Sequence, residues 1–151
     1  MTAADGTTLR MERFFKASPE RIFRAFTNAE ELKSMWTSDD HPISALTVDA
    51  RPGGGWTLTM RSKGAGAASV HRATYFEFRP PESLGWNVSI EADWAKGWKE
   101  MRVTLRFKAV PGGTMLSLVH EFFPSREARD GHAGGWGGGF DRLEKRLAAE
   151  A

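Results

Sequence analysis

The chain has 151 residues, 21 Lys+Arg against 19 Asp+Glu, and a formal net charge of +2. That length fits one domain spanning 1–151, and 40% hydrophobic with 26% charged residues excludes a disordered chain. The absence of cysteine excludes disulfides, a thiolate nucleophile and Cys-ligated zinc or iron–sulfur centres, while basic residues scattered among acids speak against nucleic-acid binding.

Residues 7–17 alternate, with Leu9, Met11, Arg13, Phe15 and Ala17 on one face of an expected strand and Phe14 on the other. No apolar segment in residues 1–13 has the form of a signal peptide, and no run reaches the ~20 apolar residues of a membrane span. The expected address is therefore the cytoplasm, without membrane insertion. Ser18-Pro19-Glu20 starts a helix with a hydroxyl cap, proline in the first turn and an acid at the positive end. Asn28 and Glu31 have capping-box spacing for a second start, so two short helices fill about 18–36, ahead of a loop at Asp39-Asp40-His41-Pro42.

Strands separated by turns come next. Leu46, Val48 and Ala50 alternate up to the Pro52-Gly53-Gly54-Gly55 turn, and Trp56, Leu58 and Met60 alternate up to Lys63-Gly64-Ala65-Gly66. A strand over residues 70–78 ends at Pro80-Pro81. Leu84, Trp86, Val88 and Ile90 form the next, followed by a loop carrying Trp94 and Trp98. Met101, Val103, Leu105 and Phe107 alternate, Pro111-Gly112-Gly113 turns the chain, and Leu116, Leu118, His120 and Phe122 share a face. From about residue 127, His132, Trp136, Phe140, Leu143 and Leu147 follow helical spacing, although Gly131, Gly134, Gly135, Gly137, Gly138 and Gly139 blur the helix start. Hairpin-length links make the sheet antiparallel, and its apolar face needs the terminal helix as cover. The pattern predicts an α+β domain: about seven strands curved around one long C-terminal helix, with two short helices after the first strand.

The candidate site lies where that helix meets the sheet. Gly135 and Gly139 share a side with His132 and Trp136, so side chains are missing there. The pattern allows a hollow, close helix–sheet packing, or a frayed loop before a shorter helix. A dry hollow of about 300 Å³ would cost about 7 kcal/mol, so a real one must be wet, filled or partly collapsed. Arg13 and His120, in phase with apolar neighbours, are the groups able to hold water in it. Trp36, Trp56, Trp86 and Trp136 are either plain core or lining, with Leu58, Met60, Val88, Met101, Val103 and Phe140 as further candidates for lining. Trp94 and Trp98 form a lid, a partner patch or a sheet cap.

Catalytic patterns are sparse. There is no Gly-x-Ser-x-Gly, and His120, His132 and Glu77 are the acid–base candidates without a spacing that joins them. His41, His71, His120 and His132 have no paired ligand spacing, so no metal site is expected. Gly64-Ala65-Gly66-Ala67-Ala68-Ser69 lacks the third glycine of a dinucleotide loop and a following helix, and no other cofactor motif is present.

The order of elements resembles the START-like, or SRPBCC, superfamily with its helix-grip, birch-allergen-like fold. Within it the chain is similar to the activator of heat-shock-protein-90 ATPase homologue-like family. The residues that carry the likeness are Arg13-Phe14-Phe15-Lys16-Ala17-Ser18-Pro19, Ile22-Phe23-Arg24-Ala25-Phe26-Thr27, Leu32 with Met35-Trp36, and Asp49-Ala50-Arg51-Pro52-Gly53-Gly54. Glu77-Phe78-Arg79-Pro80-Pro81 with Leu84, Gly113-Thr114, His120, and His132 with Gly135-Trp136 and Leu143 continue it. Ala73, where the family usually has glycine, and the run Gly137-Gly138-Gly139 depart from the pattern. The resemblance implies a pocket between sheet and helix for hydrophobic molecules; it does not imply one reaction. The resulting expectation is a binder of a small hydrophobic or aromatic ligand. Its rivals are a cyclase-like or lyase-like enzyme using the same pocket, and a chaperone-activator-like protein-interaction domain.

Overall fold

The computed structural model describes residues 7–61 and 68–150. The turn expected at Lys63-Gly64-Ala65-Gly66 and the glycine loop beside it fall largely outside the described residues. In chain order the elements are β1 (Leu9–Phe15), α1 (Pro19–Thr27), α2 (Ala29–Trp36), β2 (Ile43–Asp49), β3 (Gly55–Met60), β4 (Ser69–Arg79), β5 (Ser83–Glu91), β6 (Met101–Val110), β7 (Gly113–Glu121) and α3 (Arg126–Glu150). A short 3-10 turn, Asp93–Ala95, lies between β5 and β6.

The seven strands form one sheet in the order β1-β7-β6-β5-β4-β3-β2, antiparallel throughout. Register lines up residues from distant parts of the chain. Leu9, His120, Val103, Trp86 and Tyr75 form one row across five strands, and Met101, Val88, Ala73 and Trp56 form the next but one. Alternation puts both rows on the face turned to the helices, so the buried Trp56, Trp86, Val103 and His120 share one concave wall.

Local chemistry fixes the helix boundaries. The Ser18 hydroxyl accepts from Arg21 N–H at 3.2 Å and Pro19 occupies the first turn, starting α1. The Asn28 side chain accepts from Glu31 N–H at 3.0 Å, ending one helix and starting the next within a single residue. Ser125 caps α3 by accepting from Ala128 N–H at 3.1 Å. The six glycines of α3 are helical, which settles the frayed-loop alternative against itself. Relative to alanine they cost about 5 kcal/mol. The buried Trp136, Phe140 and Leu143 offset this by tertiary packing.

Two details differ from the expectation. β2 keeps Leu46 and Val48 in the expected phase as half-buried residues, but it starts at the buried Ile43 with an irregularity before Ala45, and Ala50 lies beyond its end. At the end of β7, Phe122 has a positive φ of 73°, which turns its ring outward at 47% exposure and inserts Phe123 in its place at 2%.

The solid part of the core lies under α1, α2 and the second half of α3. Phe23 meets Phe78 and Phe107 edge-on at 5.5 and 5.3 Å, and Phe15 meets Phe140 at 5.8 Å. Beside it, Arg21, Arg24 and Arg146 converge on the buried Glu31 carboxylate, with contacts of 2.7, 3.3 and 3.4 Å. No helix is long and apolar enough to cross a membrane among the described residues.

Candidate functional site

A cavity of about 670 Å³ separates the first half of α3 from the concave sheet. The sheet supplies Trp56, Leu58, Met60, His71, Trp86, Val88, Ile90, Met101, Val103 and His120. The helix supplies Ala128, Gly131, His132, Gly134, Gly135, Trp136, Gly138 and Arg142. Trp36 at the end of α2, Ser38, Asp40 and His41 in the following loop, and Trp94 in the 3-10 turn complete it.

The volume arises from what α3 omits. Ala128, Gly131, Gly135, Gly138 and Arg142 recur at helical spacing along one line, so its cavity-facing stripe is nearly bare backbone up to Arg142. A Cβ built on Gly131, Gly134 or Gly135 meets nothing within 4 Å.

Four indoles form the floor. Trp36 lies 5.1 Å from Trp56 and 5.8 Å from Trp136 between ring centres. Trp86 lies 5.6 Å from Trp56 and stacks on Trp136 at 6.4 Å. These separations are those of attractive edge-to-face and offset pairs, which stiffen the wall without filling the space.

Four histidines line the same cavity, and burial keeps three of them, His71, His120 and His132, neutral at pH 7. Desolvation, with a smaller contribution from His132, pushes His71 down to about 4 and His120 down to about 3. Desolvation also lowers His132, opposed by its hydrogen bond to the Ala128 carbonyl. Trp136 Nε1–H donates to His120 Nδ1 at 3.1 Å, and His71 Nε2 lies 3.1 Å from the Ser69 hydroxyl. At the far end, Arg142 donates from Nε to the Met35 carbonyl at 2.6 Å, serving one of the open carbonyls that end α2.

The lining brings together Trp36, Trp56, Leu58, Met60, Trp86, Val88, Met101, Val103, His120, His132 and Trp136, all candidates from the sequence. Three other candidates lie elsewhere. Arg13 reaches sideways to Asp141 at 2.8 Å and Glu144 at 3.1 Å, because acids on the outer side of α3 attract it. Gly139 packs against α2, where its Cβ position is 3.4 Å from both the Met35 carbonyl and Trp36 Cδ1. Phe140 is 1% exposed in the solid core against Phe15. The acid–base candidate Glu77 is also off the lining, with Arg106 at 4.0 Å.

Sequence reasoning missed His41, His71, Ile90, Arg142 and the glycines at 131, 134 and 138, and offered Trp94 as a lid, a partner patch or a sheet cap. The in-phase alternation of β4 and β5 could have found His71 and Ile90, and the line of small residues from Ala128 to Gly138 could have found the glycines. Among the described residues, no group of three or more His, Asp or Glu is placed to hold a metal ion.

A curved antiparallel sheet that grips a long C-terminal helix over an aromatic-lined cavity defines a helix-grip protein. The chain belongs to the Activator of Hsp90 ATPase homolog 1-like protein family, which matches residues 16–148. No curated protein sequence matches it. Among solved structures it is similar to a Chromobacterium violaceum protein, at 24% identity and TM-score 0.81, covering 92% of this chain and 96% of that one. It is also similar to the AHSA1 protein of Silicibacter pomeroyi, at 26% identity and TM-score 0.79, covering 95% and 99%. A Mycobacterium smegmatis protein matches at 21% identity and TM-score 0.81, covering 97% and 94%.

Proposed function

We propose that the protein binds a small hydrophobic or aromatic molecule in the cavity between sheet and α3, as a single domain working in the cytoplasm. The observation that carries this reading is the pairing of about 670 Å³ of space with a floor of four indoles and a glycine-bare helix face. That space opens to solvent, so it is not a dry internal void. Solvent therefore occupies it until a ligand does, and displacing water from indole faces drives binding. Titration with fluorene, followed by tryptophan fluorescence, tests the proposal alongside native mass spectrometry of the freshly purified protein. Saturable quenching or a co-purified aromatic compound supports it. Absence of both refutes it.

The enzymatic reading has one observation in its favour: His132 on the lining is a neutral imidazole whose Nδ1 faces the Ala128 carbonyl, which leaves the Nε2 lone pair that a general base requires. Turnover of a bound aromatic substrate that disappears in His132→Ala while binding persists would move the assignment there.

A further inference from the structure

Two adjoining histidines on the cavity wall hold their protons on opposite sides. Indole N–H can only donate, and Trp136 Nε1 lies 3.1 Å from His120 Nδ1. His120 Nδ1 is therefore the acceptor, and the proton of the neutral ring sits on Nε2. A carbonyl oxygen can only accept, and that of Ala128 lies 2.9 Å from His132 Nδ1. His132 therefore carries its proton on Nδ1, leaving a lone pair on Nε2. The two rings are 5.5 Å apart at 81°. His120 Nε2 is buried with no hydrogen-bond partner among the described residues, so the N–H is an unmet donor. Phe123 packs on both rings, at 4.2 Å and 5.0 Å, and Trp98 lies 6.1 Å from His132.

A buried donor without a partner costs about 1–3 kcal/mol, which a ligand able to satisfy it recovers. Resting on the ligand-binding reading above, we propose that the ligand is a hydroxylated aromatic whose hydroxyl sits between these rings, accepting from His120 Nε2–H and donating to His132 Nε2. Ketone and ether oxygens accept but cannot donate, so they leave His132 unmet. A carboxylate or ammonium brings a charge beside imidazoles held neutral by burial, at high desolvation cost. Hydroxyl is the smallest neutral group that serves both nitrogens, and the surrounding rings favour an aryl carrier over an alkyl one.

The probes are fluorene, hydroxyfluorene and methoxyfluorene, titrated calorimetrically into the wild-type protein and His132→Phe. Hydroxyfluorene should bind about tenfold tighter than fluorene. Methoxyfluorene, which keeps the acceptor and loses the donor, should bind roughly fivefold weaker than hydroxyfluorene. In His132→Phe the advantage of hydroxyfluorene over methoxyfluorene should vanish. Equal binding of all three, or methoxyfluorene matching hydroxyfluorene in the wild type, overturns the hydroxyl assignment and leaves the cavity reading standing. If none of the three binds, the cavity reading falls and takes this proposal with it. Long-range proton–nitrogen NMR of the wild-type protein gives a check that needs no variant. His120 protonated at Nε2 and His132 at Nδ1 support the proposal, and any other pair of tautomers overturns it.

Discussion

Gly135→Leu and Gly139→Leu place the same side chain four residues apart on α3 and should have opposite effects. Gly135 lies exposed at the edge of the cavity, and a Cβ there meets nothing within 4 Å. Leucine there gains about 0.8 kcal/mol in helix propensity. Partial burial against the cavity wall adds about 1 kcal/mol, and loss of rotamer freedom removes roughly half of that. The net expectation is about 1 kcal/mol of stabilisation, or a rise in Tm of about 2–4 °C for a chain of this size. The same atoms occupy the ligand's space, so fluorene affinity should fall at least about tenfold. At Gly139 the first added carbon already touches the Met35 carbonyl and Trp36 Cδ1 at 3.4 Å. The remaining carbons must displace α2, at about 1–3 kcal/mol, which exceeds the same propensity gain. Urea unfolding followed by far-UV circular dichroism measures both variants, and fluorene titration measures binding. The reasoning is refuted if Gly135→Leu is as destabilising as Gly139→Leu, or if it binds fluorene like the wild type.

Glu31→Ala should destabilise by about 1 kcal/mol, because it removes the buried carboxylate shared by Arg21, Arg24 and Arg146 while Arg21 keeps Glu150, and unchanged urea midpoints would contradict this. His120 has a folded pKa depressed to about 3 from 6.5, so the unfolded state binds more protons between those values. Its contribution is complete above pH 6.5 and is lost as the pH falls towards 3, amounting to about 2 kcal/mol by pH 5. His120→Gln, which keeps an acceptor for Trp136 and does not titrate, should lose less stability than the wild type between pH 7 and pH 5; parallel losses would count against the buried neutral histidine. Trp94 is 44% exposed, lines the cavity, and leans on Trp98 at 5.3 Å. Trp94→Ala should therefore speed fluorene release in stopped-flow measurements more than it slows entry, and an unchanged off-rate would remove Trp94 from the ligand's path.

Much of the fold was legible because its signals are short-range. Ser18 and Asn28 cap the helices they are expected to cap, and the alternation of Trp56 and Leu58, Trp86 and Val88, and Met101 and Val103 fixes which face of each strand is buried. The misreadings share a cause, since each depends on geometry that alternation cannot carry. One residue at positive φ exchanged Phe122 for Phe123, and an irregular pairing after Ile43 let β2 begin three residues before the alternation of Leu46 and Val48. At the site, helical phase placed Gly135 and Gly139 on one broad face. What divides them is the position of α2, which covers Gly139 and stops short of Gly135. Arg13 was in phase with the lining, but the acids that claim it lie 128 and 131 residues away in sequence.

That division runs through the whole of α3. Its second half is held by Phe140 and Leu143 in the core, by Gly139 against Met35, and by Arg146 on the carboxylate of Glu31. Its first half rests on Trp136 and His132 over open volume, with most of the glycine cost concentrated there. On the proposed ligand-binding reading, stability and binding therefore fall to opposite ends of one helix. The rigid end holds the axis fixed, so the bare end stays clear of the sheet and does not collapse onto the indoles. Substitutions in the second half should accordingly act on unfolding free energy and those at Gly131, Gly134 or Gly135 on the ligand. A helix anchored at both ends could not separate the two effects in this way.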